Sequence, residues 1–252
     1  MIKKSLLSRK ATGIIRYTAL LAFCIFSLGA TVKLYGTWKT NNTNSELKSL
    51  KADVVDSASL DEEAEWEPEL LSVNEDYVGW LTVYGTGADG PVVQGEDNDE
   101  YLRKDFYGDY LVAGTFFMDE TVDVTDETDN RIIYGHMMND DTMFGSFKKY
   151  KDLEFFKENN TIRWEDRFGA HYYKLFAAIL VSGSTSSRNY LNIQQWSKHL
   201  DAAETKLMLS EIKSRAYIFQ EDPFRTEGSY IFLVTCEHSQ YAGKLVLVGE
   251  EM

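Results

Sequence analysis

The chain has 252 residues, with 26 Lys and Arg against 40 Asp and Glu for a formal net charge of −14, 44% apolar residues and two cysteines. That apolar share is ample for a large packed core. The acidity argues against a nucleic-acid surface, which needs clustered Lys and Arg, and two cysteines make neither a disulfide scaffold nor a Cys/His zinc cluster.

The charge is unevenly placed. Residues 1–39 hold Lys3, Lys4, Arg9, Lys10, Arg16, Lys33 and Lys39 and no acid, a local +7, and the remaining residues carry −21. Between Arg16 and Lys33 runs an uncharged apolar stretch, Tyr17 to Val32. With Lys33 snorkelling it reaches Tyr35, close to the ~20 residues that cross a bilayer. Five positive charges precede it, so residues 1–35 read as a cytoplasmic stub and transmembrane anchor with the carboxyl side outside the cell. A cleaved signal peptide is the rival reading, because Gly29-Ala30-Thr31 supplies small residues; the length of the span favours the anchor. Residues 36–66 are polar and read as a linker with a short helix near Ser45–Val55.

From residue 67 to 252 the texture is that of one globular domain. Short β-rich runs alternate with Gly/Asp/Asn turns and predict strands at Gly79–Tyr84, Leu111–Phe117, Arg131–Tyr134, Thr161–Trp164, Tyr172–Val181, Tyr230–Cys236 and Lys244–Gly249. Several are apolar throughout, as in strands covered on both faces or closed into a barrel. Short helices are predicted at Glu67–Asn74 and Phe144–Phe156. A longer one follows between Asn189 and Arg215, where Ile193, Trp196, Leu200, Ala203 and Leu207 recur at three- and four-residue intervals. The prediction is a mostly antiparallel β-barrel or sandwich with a few surface helices.

Cysteine placement narrows the chemistry. Cys24 lies in the proposed membrane span and cannot pair with Cys236 in an external domain. Cys236 ends the apolar run Tyr230–Thr235 and precedes a polar turn; a strand end holds a side chain rigidly while leaving it open to substrate. A thiol nucleophile needs a base or cation to favour the thiolate and a partner for the developing oxyanion. His136 follows the strand run Arg131–Tyr134 and Gly135, and could converge on Cys236 from a different strand. His171 and His199 read as surface or packing residues, and His238 stands two residues from Cys236 in a turn. The acidic stretches Asp126–Asp129 and Asp140-Asp141 read as turns and solvated loops.

With these residues in view, YGHMMNDDTMFGSFKKY around His136 and LVTCEHSQYAGKLVLV around Cys236 resemble the class B sortases, Gram-positive cell-surface cysteine transpeptidases. The resemblance runs through NEDYVGWLTVYGT, PVVQGEDNDEYL, GTFFMDE and the long helix before the last two strands, from about Leu70 to Gly249. It implies a closed sortase β-barrel, no cofactor and no metal. It implies a two-step acyl transfer in which Cys236 attacks a Thr carbonyl in the C-terminal sorting motif of a secreted protein. A peptidoglycan or lipid II stem-peptide amine then releases the acyl-enzyme, with His136 exchanging protons between leaving and entering amines.

The family places an Arg at the start of the final strand to hold substrate and oxyanion, and here that position is Lys244. Lys keeps the charge but lacks the planar two-pronged donor, so the resemblance leaves open a role for Arg188 or Arg225, or a weakly active peptide-binding descendant. Val234 stands where several members have Ser. The substrate groove, by the same resemblance, involves Asn98, Leu102, Ser186, Tyr190, Leu191 and Glu237. A pilin Lys as the acceptor amine is the alternative to a wall amine.

Overall fold

The computed structural model describes residues 2–57, 68–221, 228–237 and 243–252. The chain forms two units, Met1–Asn42 and Thr43–Met252. From Ile2 onward the first is helical, as part of α1 (Ile2–Ser57). Leu21, Phe23, Ile25, Phe26, Leu28 and Val32 are all exposed on it. A helix that is apolar around its circumference yet uncovered by protein suits lipid rather than water. The helix contains one stretch, Leu20–Lys51, long and apolar enough to cross a membrane. Cys24 is exposed there.

The polar residues expected to form a linker differ from expectation. As far as Ser57 they continue α1, well beyond the short helix read at Ser45–Val55. Within the second unit Leu47 is buried among Leu70, Tyr77, Trp80, Tyr101, Phe106 and Phe117. Lys48 pairs with Asp89 at 2.7 Å. Lys51 pairs with Glu165, and its ammonium stands 4.5 Å from the Trp80 ring centroid. One leucine in the right phase and two lysines whose stems cover apolar surface suffice to dock a segment that looks polar overall.

The second unit is a closed β-barrel. Its strands are β1 (Tyr77–Val83), β2 (Asp89–Val93), β3 (Phe116–Met118), β4 (Arg131–Tyr134), β5 (Thr161–Asp166), β6 (Gly169–Ser182), β7 (Ala216–Phe219), β8 (Tyr230–Glu237) and β9 (Gly243–Glu251). The order is β5-β1-β2-β3-β4-β8-β9-β6-β7, and β6 also pairs with β5. That extra pairing closes eight strands into a ring and leaves β7 as a flap outside β6. β2–β3 and β4–β8 are parallel, and the remaining pairs are antiparallel.

β8 and β9 are unbroken apolar runs because both faces are covered: Ile231–Val234 and Leu245–Val248 are each at most 1% exposed. Trp196 stacks on Phe232 with ring centroids 5.7 Å apart. Each such side chain contributes about 1.5–3 kcal/mol by leaving water.

The predicted long helix is divided. A 3₁₀ turn covers Ile193–Trp196, and α4 begins only at Ala202 and ends at Arg215. Asp201 starts it by accepting from the backbone N–H groups of Ala203 and Glu204, while the Glu204 carboxylate accepts from the Asp201 N–H. This reciprocal cap resets the helical phase. Ile193, Trp196 and Leu200 are buried as expected, but Leu207 is 70% exposed, and α4 instead buries Thr205, Met208 and Ile212. His199 therefore lies in the break. Short helices at Pro68–Val73 (α2) and Leu153–Glu158 (α3) answer the other two predictions, the second preceded by a 3₁₀ turn at Gly145–Lys151.

Candidate active site

Three adjacent strands build the site. In the parallel pair β4–β8, Tyr134 lies opposite Val234, and the Gly135 N–H extends the ladder to the Val234 carbonyl at 3.2 Å. His136 and Cys236 are each two residues past that pair. On the other flank, β8 and β9 place Cys236 directly opposite Lys244. The backbone thus carries residues 136, 236 and 244 to one end of β4, β8 and β9. The side chains of Cys236 and Glu237, and all of Arg225 and His238, lie outside the described residues.

Gly135 is needed for packing. A Cβ there would stand 2.8 Å from both Phe116 Cδ1 and Phe144 Cδ2, two rings that stack at 4.8 Å. Its backbone is not left-handed: among the described residues the positive-φ glycines are Gly85, Gly108, Gly114 and Gly169. The loop after it folds back, so that the Met138 and Phe144 N–H groups both donate to the His136 carbonyl, at 3.2 and 3.0 Å.

The His136 ring has Nε2 2.8 Å from the Leu102 carbonyl. A carbonyl only accepts, so Nε2 carries the hydrogen and Nδ1 holds the lone pair of the neutral ring. Burial lowers the imidazole pKa, and the Arg103 charge adds to this against the opposing Leu102 hydrogen bond. The ring is therefore mainly neutral near pH 7, ready to accept a proton.

Leu102, Phe117, Tyr134, Gly135, His136, Val234, Thr235 and Lys244 line one cavity of about 300 Å³. Thr235 Oγ1 is buried there with no hydrogen-bond partner among the described residues. Buried hydroxyls are seldom left so.

The other predicted site residues fall into distinct environments. The Asn98 side chain is engaged within the protein: its amide donates to Asp119 Oδ2 at 3.1 Å and its carbonyl accepts from the Glu120 N–H at 3.1 Å. Leu191 is 5% exposed and belongs to the main core. Ser186 is exposed and bonds Ser184, hydroxyl to hydroxyl, at 2.9 Å. Tyr190 bridges to Ser182, at the end of β6 that pairs with Gly243 beside Lys244. Arg188 is exposed on the same loop. Arg103 and Tyr134 were not singled out from sequence, although both directly adjoin residues that were, or their glycine spacer.

A sortase domain model matches residues 81–252, and the chain belongs to the sortase family. Within that family it is a class B sortase. It is 30% identical over 188 residues to sortase B of Staphylococcus aureus (strain NCTC 8325 / PS 47), covering 72% of each chain. The structure of Clostridium perfringens sortase B is similar with a TM-score of 0.66 and 27% identity, over 74% of this chain and 99% of that one. A Streptococcus pyogenes class B sortase involved in pilus biogenesis gives a TM-score of 0.62 and 29% identity, over 73% of this chain and 97% of the other. Family members are transpeptidases that join proteins bearing sorting signals to amine acceptors.

Proposed function

We propose that the protein is a membrane-anchored transpeptidase that uses Cys236 as nucleophile, His136 as acid and base, and Lys244 as the cation for the oxyanion. The observation that carries this reading is the convergence of residues 136, 236 and 244 at one end of β4, β8 and β9. His136 takes the Cys236 thiol proton, and the resulting thiolate adds to the carbonyl carbon of a Thr in the C-terminal sorting motif of a secreted protein. The tetrahedral oxyanion is stabilised by the Lys244 charge. Its collapse breaks the peptide bond, His136 protonates the departing amine, and a thioester remains. A peptidoglycan or lipid II stem-peptide amine then attacks the thioester carbonyl and loses its proton to His136, and the thiolate leaves.

Leu102, Ser186, Tyr190 and Glu237 form the proposed peptide groove, backed by Asn98 and Leu191, whose side chains are engaged within the fold. Leu102 supports this placement by lining the cavity next to His136. In this reading α1 holds the domain, residues 67–252, on the outer face of a cell membrane, with residues 1–35 as stub and anchor and the amino terminus inside. No nucleic acid and no cofactor enter the scheme. A pilin Lys is the second acceptor, favoured by the pilus role of the S. pyogenes relative; the curated sortase B relatives favour the wall amine.

The test is to incubate the full chain in detergent micelles with a sorting-peptide library, supplying either a stem-peptide amine or a pilin Lys peptide. Mass spectrometry should find an acyl adduct on Cys236 and a new amide product, both absent from Cys236→Ala. Failure to cleave any peptide with either amine present would overturn the assignment.

A further inference from the structure

Lys244 is the departure from the family pattern, and its surroundings give that departure a structure. Its ammonium stands 5.4 Å from the centroid of the Tyr134 ring. That ring stacks on Phe117 at 5.1 Å, and its hydroxyl donates to Asp119 Oδ2 at 2.8 Å. Asp119 is fully buried. Its remaining capacity accepts from the Thr121 N–H and hydroxyl, the Asn98 amide and the Gln194 amide. The hydroxyl bond anchors the far end of the ring and the Phe117 stack fixes its plane. On another side, a Cβ built on Gly183 would fall 2.8 Å from Lys244 Cε and 3.5 Å from Nζ. Gly183 is not among the glycines with positive φ. Its lack of a side chain thus leaves space for the lysine arm.

A lysine head is a compact charge on a flexible four-carbon stem, so unlike arginine it has no planar fork to fix its direction. An aromatic face and a narrow slot can supply that direction from outside. We propose that Tyr134 and Gly183 form a seat that fixes Lys244, making them positioning residues of an oxyanion site adapted to lysine. This inference rests on the role assigned to Lys244 under the proposed function. It assigns Tyr134 and Gly183 to the reaction and makes the Arg-to-Lys difference part of a matched set.

The experiment follows acylation of the full chain in detergent micelles by N-acetyl-threonine p-nitrophenyl ester, which offers the Thr acyl group without the rest of a motif. The rate of alkylation by iodoacetamide is measured alongside to report on the thiol itself. Lys244→Met should lower kcat by about 100-fold, the scale of a lost oxyanion donor. Tyr134→Leu and Gly183→Ala should each lower kcat by about tenfold with KM unchanged, as expected for a misdirected cation. Tyr134→Phe, which keeps the ring, should stay within about threefold of the wild type. Lys244→Arg should bring no gain, and alkylation rates should be alike throughout. If Lys244→Met acylates as fast as the wild type, the role given to Lys244 fails and the seat with it. If Lys244→Met is slow while Gly183→Ala keeps the wild-type kcat, the seat alone is overturned. Gly183→Ala decides this even where Tyr134→Leu does not fold, because the atoms it displaces are the far end of the Lys244 side chain. A faster Lys244→Arg enzyme would also overturn the seat.

Discussion

Replacing His171 with glutamine should remove a pH-dependent share of the barrel's stability. His171 lies in β6, with Nδ1 2.8 Å from Glu251 Oε1 and Nε2 3.4 Å from Asp166 Oδ1, the latter an ion-pair distance without good hydrogen-bond geometry. Asp166 also accepts from the Trp164 indole at 2.7 Å and stands 3.3 Å from the Arg131 guanidinium. Asp166 and then Glu251 raise the imidazole from 6.5 to about 9, against the opposing effect of burial. The folded value lies above the unfolded one. The protonated ring therefore stabilises the fold fully below about 6.5, and that contribution fades as pH rises through about 9.

At about 1.4 kcal/mol per pH unit the contribution is at most about 3.5 kcal/mol. Partial solvent contact reduces this to about 1–2 kcal/mol. For a unit of this size that amounts to about 3–6 °C in Tm. Thermal unfolding of wild type and His171→Gln at about pH 6 and about pH 9.5 checks it, with the gap present at the lower pH and largely closed at the higher. A gap equal at both pH values, or a His171 proton resonance titrating near 6.5, would refute the reasoning.

Two further outcomes follow from the site. Gly135→Ala forces a methyl group between Phe116 and Phe144 and should cost about 1–3 kcal/mol, read as a lower denaturant midpoint; an unchanged midpoint would show that the rings yield freely. Because burial and Arg103 hold the His136 pKa below 6.5, the acid limb of kcat/KM should lie below that value. Arg103→Gln should move it upward, read from the pH profile of kcat/KM.

How much was legible depended on where the decisive contacts lie along the chain. Arg131–Tyr134 was bounded correctly because an unbroken apolar run ends at a glycine, and Tyr230–Cys236 missed its end by one residue. Leu111–Phe117 was not, since only Phe116–Met118 is strand and the preceding apolar residues, Leu111 and Ala113, are buried in a loop. β2 escaped notice because Gly90-Pro91 reads as a turn. Pro91 lies outside the β2–β3 register, which covers only Val92 and Val93, and a proline is tolerated at such a position. β7 escaped because Ala216–Phe219 follows α4 with no glycine or proline between.

At the site, His136, Cys236 and Lys244 were visible as strand-end residues and through the family motifs. The Asp119–Tyr134 bond and the room at Gly183 were not, because they join residues far apart in the chain. Asn98 shows the opposite case: a polar residue in a recognisable motif whose side chain is already engaged by Asp119 and Glu120.

The parallel pairing of β4 with β8 also bears on how the enzyme comes into being. It joins Arg131–Tyr134 to Ile231–Val234, so the strands that deliver His136 and Cys236 meet only after the intervening chain has closed into a loop. Closure over such a distance is entropically slow, and folds rich in it assemble late. By the proposed mechanism, a chain in which these strands have not yet paired has a thiol but no catalytic centre. On that reading, transpeptidase activity begins only with completion of the barrel.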